Sequence, residues 1–147
     1  MSRLPLFVAS LCLLAAFAAS SLSASEEKAN LLVNPSFDKD ANKDGVPDGW
    51  RASGDGGVKQ TLSIDRDGEG RPCAKLACTA FTATGPASHV MLCQMDIPIE
   101  RGRYYRLAFR ARGEGILGDI VQIGMRDTRK WGSLGLDEAF VPVAEWK

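Results

Sequence analysis

Beyond its first two dozen residues the chain has no apolar run approaching the ~20 residues that a membrane-spanning helix needs, and neither charge is in excess. Its 18 Lys and Arg stand against 18 Asp and Glu, and become 17 against 18 once residues 1–24 are set aside. A near-neutral surface argues against nucleic acid as a partner, which calls for a clearly basic face. Histidine occurs once, at His89, with no nucleophile arranged beside it, so nothing supports a triad of the Ser-His-Asp kind. Cys73, Cys78, Cys93 and His89 fall in no zinc-ligand spacing. Glu69, Glu100, Glu114, Glu138 and Glu145 are scattered with no pairing signal for a two-carboxylate glycosidase. The expectation is a chain that is not itself an enzyme. From Asn30 onward no stretch has helical period, and no internal repeat is visible.

What is present begins with a leader. Arg3 supplies a positive start, Leu6 to Ala19 form an uncharged apolar run, and small residues follow at Ser20, Ser23 and Ala24. That pattern predicts a secretory signal peptide over residues 1–24 and places the mature chain outside the cytoplasm, secreted, extracellular or periplasmic, with no membrane contact after cleavage. The alternative is a retained N-terminal anchor; a lipid on Cys12 is disfavoured by Leu11, where a small residue is required. Residues 25–147 are enough for one domain with one core.

Runs rich in Val, Ile, Leu, Thr and Tyr recur between clusters of Gly, Pro, Asp and Asn, which predicts an all-β antiparallel sandwich or barrel. The expected strands are Leu31 to Phe37, Val58 to Ile64, Cys73 to Thr79, His89 to Ile97, Arg103 to Arg112 and Asp119 to Arg126, with a weaker one near Ala139 to Val143. In the most legible run, Tyr105, Leu107, Phe109 and Ala111 share one face, while Tyr104, Arg106, Arg110 and Arg112 share the other. The arginine row is either a solvated face or a set of forked donors presented to hydroxyls or carboxylates. Cys78 and Cys93 are the plausible disulfide pair if their strands are neighbours; the alternative is three small buried apolar residues.

The segment from Asp38 to Asp48 sets oxygen-bearing side chains at alternate positions. Asp40, Asn42 and Asp44 match the first, third and fifth positions of a calcium loop, Gly45 its turn and Asp48 its ninth. Arg51 occupies the twelfth and no helices flank the loop, so it is nearer to thrombospondin-type or dockerin-type loops than to an EF-hand. The other reading is a solvated acidic turn.

Three segments carry a family likeness: Asn30-Leu31-Leu32-Val33-Asn34-Pro35-Ser36-Phe37 with the later Gly49-Trp50, the stretch from Gly102 to Gly113, and Glu145-Trp146-Lys147. In this order they resemble the carbohydrate-binding modules of families four and nine. The resemblance implies a two-sheet antiparallel jelly roll, galactose-binding-like. It also implies a non-catalytic module that binds polysaccharide or oligosaccharide in a groove on one sheet and is covalently linked to a glycoside hydrolase or similar enzyme. The family pattern continues past the tryptophan with another strand, so the domain at 25–147 is expected to lack its last strand, with any catalytic domain beyond Lys147.

Sugar rings lay their C–H faces on aromatic rings while polar side chains bond the hydroxyls. Trp131, in the polar stretch Arg126-Asp127-Thr128-Arg129-Lys130-Trp131-Gly132, is the first candidate platform, against the alternative of capping the core edge. Tyr104 is the second, with Arg110, Arg112, Gln122 and Arg126 as hydroxyl partners on adjacent strands. Trp50 and Trp146 are assigned to the core. The rival to sugar binding is a structural or adhesive jelly roll with no sugar ligand.

Overall fold

The structure is a computed structural model that describes residues 30–116 and 120–147; the signal peptide expected over residues 1–24 lies outside the described residues. Among these there is no helix, and the six strands pair antiparallel. They are β1 (Arg51–Ser53), β2 (Val58–Arg66), β3 (Pro72–Phe81), β4 (Met91–Cys93), β5 (Val121–Arg126) and β6 (Ser133–Phe140). They form three two-stranded ladders, β1 with β4, β2 with β3 and β5 with β6. The chain divides into two compact units between Pro98 and Ile99.

In the first unit β2 and β3 make a hairpin, because Asp67 builds its turn. The Asp67 carboxylate accepts from the Glu69 and Arg71 amides and pairs with the Arg71 guanidinium at 2.8 Å. Gly70, at φ 80°, supplies the left-handed step that a side chain would resist. Val58 and Leu62, each only 9% exposed, lie on one face of β2 and form its core, with Leu62 directly opposite Leu76. Gln60 shares that face, and its amide crosses to the other ladder: its Nε2 donates to the Ser53 carbonyl at 2.7 Å and its Oε1 accepts from the Met91 amide at 3.2 Å. A bulge beside Gln60 leaves Thr79 without a partner in the ladder, and the Thr79 hydroxyl donates instead to the Lys59 carbonyl. Gly57 sits where the backbone comes so close that a Cβ would collide with the Thr82 carbonyl oxygen.

The opening motif is not a strand. Asn34 and Phe37 have φ values of 48° and 56°, which no ladder accepts, and residues 32–37 run as bends and turns. Asn34, 3% exposed, is the centre of this knot. Its Nδ2 donates to the carbonyls of Lys39 and Asp48, and its Oδ1 accepts from the amides of Asp38 and Lys39. The Asn34 carbonyl accepts from the Trp50 indole at 3.0 Å, and the Trp50 ring lies 4.9 Å from Phe37, so Trp50 is structural. The Gln94 side chain exchanges two hydrogen bonds with the Val33 backbone, both 2.8 Å, standing in for a neighbouring strand. The His89 to Ile97 run shrinks to Met91–Cys93, and β1, its partner, was not expected.

In the second unit the Arg103 to Arg112 segment, expected as a strand, joins no ladder. Only its end is paired: Ala111 exchanges backbone bonds of 2.8 and 3.2 Å with Lys147. Its apolar face is therefore only partly covered, and Tyr105, Leu107 and Phe109 remain exposed. The ring of Phe109 does reach Phe140 at 5.9 Å. The last expected strand, near Ala139 to Val143, is displaced toward the N-terminus and lengthened to Ser133–Phe140.

Candidate functional site

The β5–β6 hairpin carries three of the residues singled out in the sequence. Alternation along β5 places Gln122, Gly124 and Arg126 on the exposed face and Val121, Ile123 and Met125 on the covered one. Across the ladder Gly124 faces Asp137 and Arg126 faces Ser133. Arg126 pairs with Asp137 at 2.5 Å, and the pair lies over Gly124, whose missing side chain leaves it room. A hydrogen bond from Ser133, and then the Arg126 guanidinium, hold the Asp137 carboxyl below its ordinary value. Gln122, Arg126, Asp137 and Glu138 line a shallow cleft of about 210 Å³.

At the hairpin tip, Asp127 fixes the loop. Its amide donates to the Gly132 carbonyl, its carbonyl accepts from the Lys130 and Trp131 amides, and its carboxylate is gripped by the Arg129 side chain at 3.0 and 2.8 Å. The Arg129 side chain, then its amide, pulls the Asp127 carboxyl down to about 2. Trp131 follows at φ 56°, in a loop closed by these bonds, with the residue 62% exposed. A large apolar ring held at a tip with its surface open to water is what a stacking platform requires.

Arg110 and Arg112 lie elsewhere in the unit, both over the Trp146 ring, at 5.9 and 5.5 Å from its centre. Arg112 also meets Glu114 at 3.4 Å. The Trp146 indole nitrogen is buried with no hydrogen-bond partner among the described residues. Tyr104 is 96% exposed. A second, apolar cleft of about 380 Å³ runs along Phe109, Ala111, Phe140, Val143 and Lys147. Neither Trp131 nor Tyr104 lines either cleft, so the expected residues fall into three places: the β5 face, the Trp146 stack and two open aromatic rings.

Sequence reasoning missed Asp137 as the partner of Arg126 and Trp146 as the support of the two arginines. The spacing of Arg110 and Arg112, two apart across the paired Ala111, was the available signal for the second. Nothing marked the first, since the stretch around Gly135 and Asp137 has the composition of a loop.

The loop from Asp40 to Asp48 folds on its own carboxylates. Asp40 accepts from the amides of Asp44 and Gly45 at 3.1 and 2.9 Å, Asp44 from Val46 at 2.8 Å and Asp48 from Ala41 at 3.1 Å. Asn42 donates to Asp44 at 2.9 Å, and Gly45 turns at φ 82°. Among the described residues no group of three or more His, Cys, Asp or Glu converges where a metal ion could sit. Cys78 and Cys93 stand on strands of different ladders and are free thiols.

Asp55 anchors a further polar cluster, accepting from Ser88 at 2.5 Å and Thr84 at 2.7 Å, bonds that lower its pKa, chiefly the one from Ser88. The Ser88 hydroxyl also accepts from the Thr84 and Gly85 amides, so the cluster works as a loop clamp. Among the described residues no helix is long and apolar enough to cross a membrane. Comparison of the chain with protein-family models, with curated proteins and with solved structures finds no match.

Proposed function

We propose that this chain is a non-catalytic polysaccharide-binding module of an exported protein, built as a two-sheet jelly roll and linked to a carbohydrate-active enzyme. The observation that carries the reading is Trp131: a tryptophan 62% exposed at the tip of a loop fixed by Asp127, with Gln122 and Arg126 on the open face of the same hairpin. The exposed Tyr104 supports it as a second platform. One or two ring stacks of about 1 kcal/mol each, with a few hydrogen bonds of similar size, sum to roughly 4 to 6 kcal/mol. That corresponds to a Kd of roughly 0.05 to 1 mM, a strength that suits a module whose tether raises the local concentration of its enzyme.

Calcium enters the proposal as a structural ion only. Asp40, Asn42, Asp44 and Asp48 supply the oxygens, and the bonds that fold the loop leave each carboxylate oxygen a second lone pair. A melting temperature indifferent to chelator removes the ion from the account.

The rival, a structural or adhesive domain with no sugar ligand, is favoured by the exposure of Tyr105, Leu107 and Phe109 on the face that the sequence marks as core. Affinity electrophoresis through xylan, β-glucan, cellulose and polygalacturonate gels separates the two. Retardation in at least one gel is expected; a folded protein that runs freely in all of them is structural.

A further inference from the structure

Resting on that reading, we infer that the glycan is anionic, carrying carboxylate or sulfate groups that meet the unpaired guanidinium forks of Arg106 and Arg110. Charge is unevenly placed along the chain. Residues 30–98 hold seven Lys and Arg against nine Asp and Glu, whereas residues 99–147 hold nine against seven. The second unit, which carries the exposed Trp131 and Tyr104, is thus the basic one.

Four of its seven acids are committed. Glu100 meets Arg103 at 3.1 Å, Glu114 meets Arg112 at 3.4 Å, Asp127 meets Arg129 at 2.8 Å and Asp137 meets Arg126 at 2.5 Å. Arg106 and Arg110 make no ion pair among the described residues, and both are exposed. Arg110 nonetheless has an anchor, because its guanidinium lies over the Trp146 ring, as does that of Arg112. A cation–π contact uses none of a guanidinium's N–H donors, so Arg110 keeps its fork free, whereas that of Arg112 is shared with Glu114. Neutral sugar hydroxyls are served as well by Asn or Gln; a fork left unpaired fits an anionic oxygen pair, where both hydrogen bonds are charge-assisted. Arg106 follows Tyr104 by two residues and both are exposed, a cation and an open ring close in the chain, the combination that an acidic sugar with one apolar face requires.

The test uses calorimetric titration of the full chain with two matched pairs of oligosaccharides: oligogalacturonate against its methyl ester, and a sulfated galactan oligosaccharide against its desulfated form. Binding to at least one charged member about tenfold tighter than to its neutral partner is expected, with the preferred pair naming the anion. Arg106→Gln, which removes no hydrogen bond or ion pair made within the described residues, is expected to bring that ratio close to one with an unchanged melting temperature. Arg110→Gln does the same with some loss of stability through Trp146. Equal affinity within both pairs overturns the anionic assignment while leaving glycan binding intact. A ratio that survives both substitutions overturns the role given to these forks. Binding of a DNA oligonucleotide as tightly as of the charged sugar shows charge alone and overturns it too. No binding of any of the four oligosaccharides sinks the glycan reading itself.

Discussion

Replacing Asn34 by alanine removes the centre of the opening knot. The side chain makes four hydrogen bonds, at 3.0, 3.2, 3.1 and 3.1 Å, and is 3% exposed, so water does not replace them without opening the loop. At a net contribution of about 0.5 to 1.5 kcal/mol each, four bonds amount to about 2 to 6 kcal/mol. The φ of 48° adds about 1 kcal/mol, since Asn tolerates the left-handed region and alanine does not. Asn34→Ala is therefore expected to destabilise the chain by about 3 to 7 kcal/mol in urea unfolding. Two companions separate the causes. Asn34→Gly loses the same bonds without the backbone strain and should recover about 1 kcal/mol relative to alanine. Asn34→Asp keeps the acceptor for the Asp38 and Lys39 amides but turns a second oxygen on the Lys39 and Asp48 carbonyls, and should gain little. A loss below about 1 kcal/mol for alanine, or glycine worse than alanine, refutes the reasoning.

The other expectations follow from single contacts. Asp127 should titrate at about 2 rather than 3.8 when its carboxyl carbon is followed by NMR. Because its folded value is the depressed one, its contribution to the hairpin tip is complete above 3.8 and is lost as pH falls toward 2; a midpoint near 3.8 dissolves the Arg129 clasp. Gly57→Ala should lower stability by about 1 to 3 kcal/mol through collision with the Thr82 carbonyl, measured by thermal unfolding, and a neutral result contradicts the close approach. Gln94→Leu, nearly isosteric, should cost about 1 to 3 kcal/mol by leaving the Val33 amide and carbonyl without their partners, and should raise hydrogen exchange at the Val33 amide.

The strands readable in the sequence are those whose alternation is local and whose turns carry their own chemistry. Val58 to Ile64 and Cys73 to Thr79 are found within β2 and β3 because Asp67 and Gly70 close the turn between them. The opening segment was misread because Leu31, Leu32 and Val33 suggest a strand, whereas Asn34 exerts its effect through its side chain on residues as far away as Asp48. Arg103 to Arg112 has the right alternation, yet a ladder needs a neighbour, and alternation contains no information about one. The start of β6 lies ahead of the strand expected near Ala139 to Val143 because Gly135, Asp137 and Glu138 interrupt its apolar pattern. For the candidate site, exposure was foreseeable where a tryptophan stood among charges, as at Trp131; the Arg126–Asp137 pair depended on a register that no local signal reveals.

The account stands most directly on Trp131. In a gel containing the polysaccharide that retards the parent chain most, Trp131→Ala is expected to migrate as freely as in a gel without it, with an unchanged melting temperature, since the indole is exposed and contributes little to folding. Undiminished retardation of that variant would contradict the account.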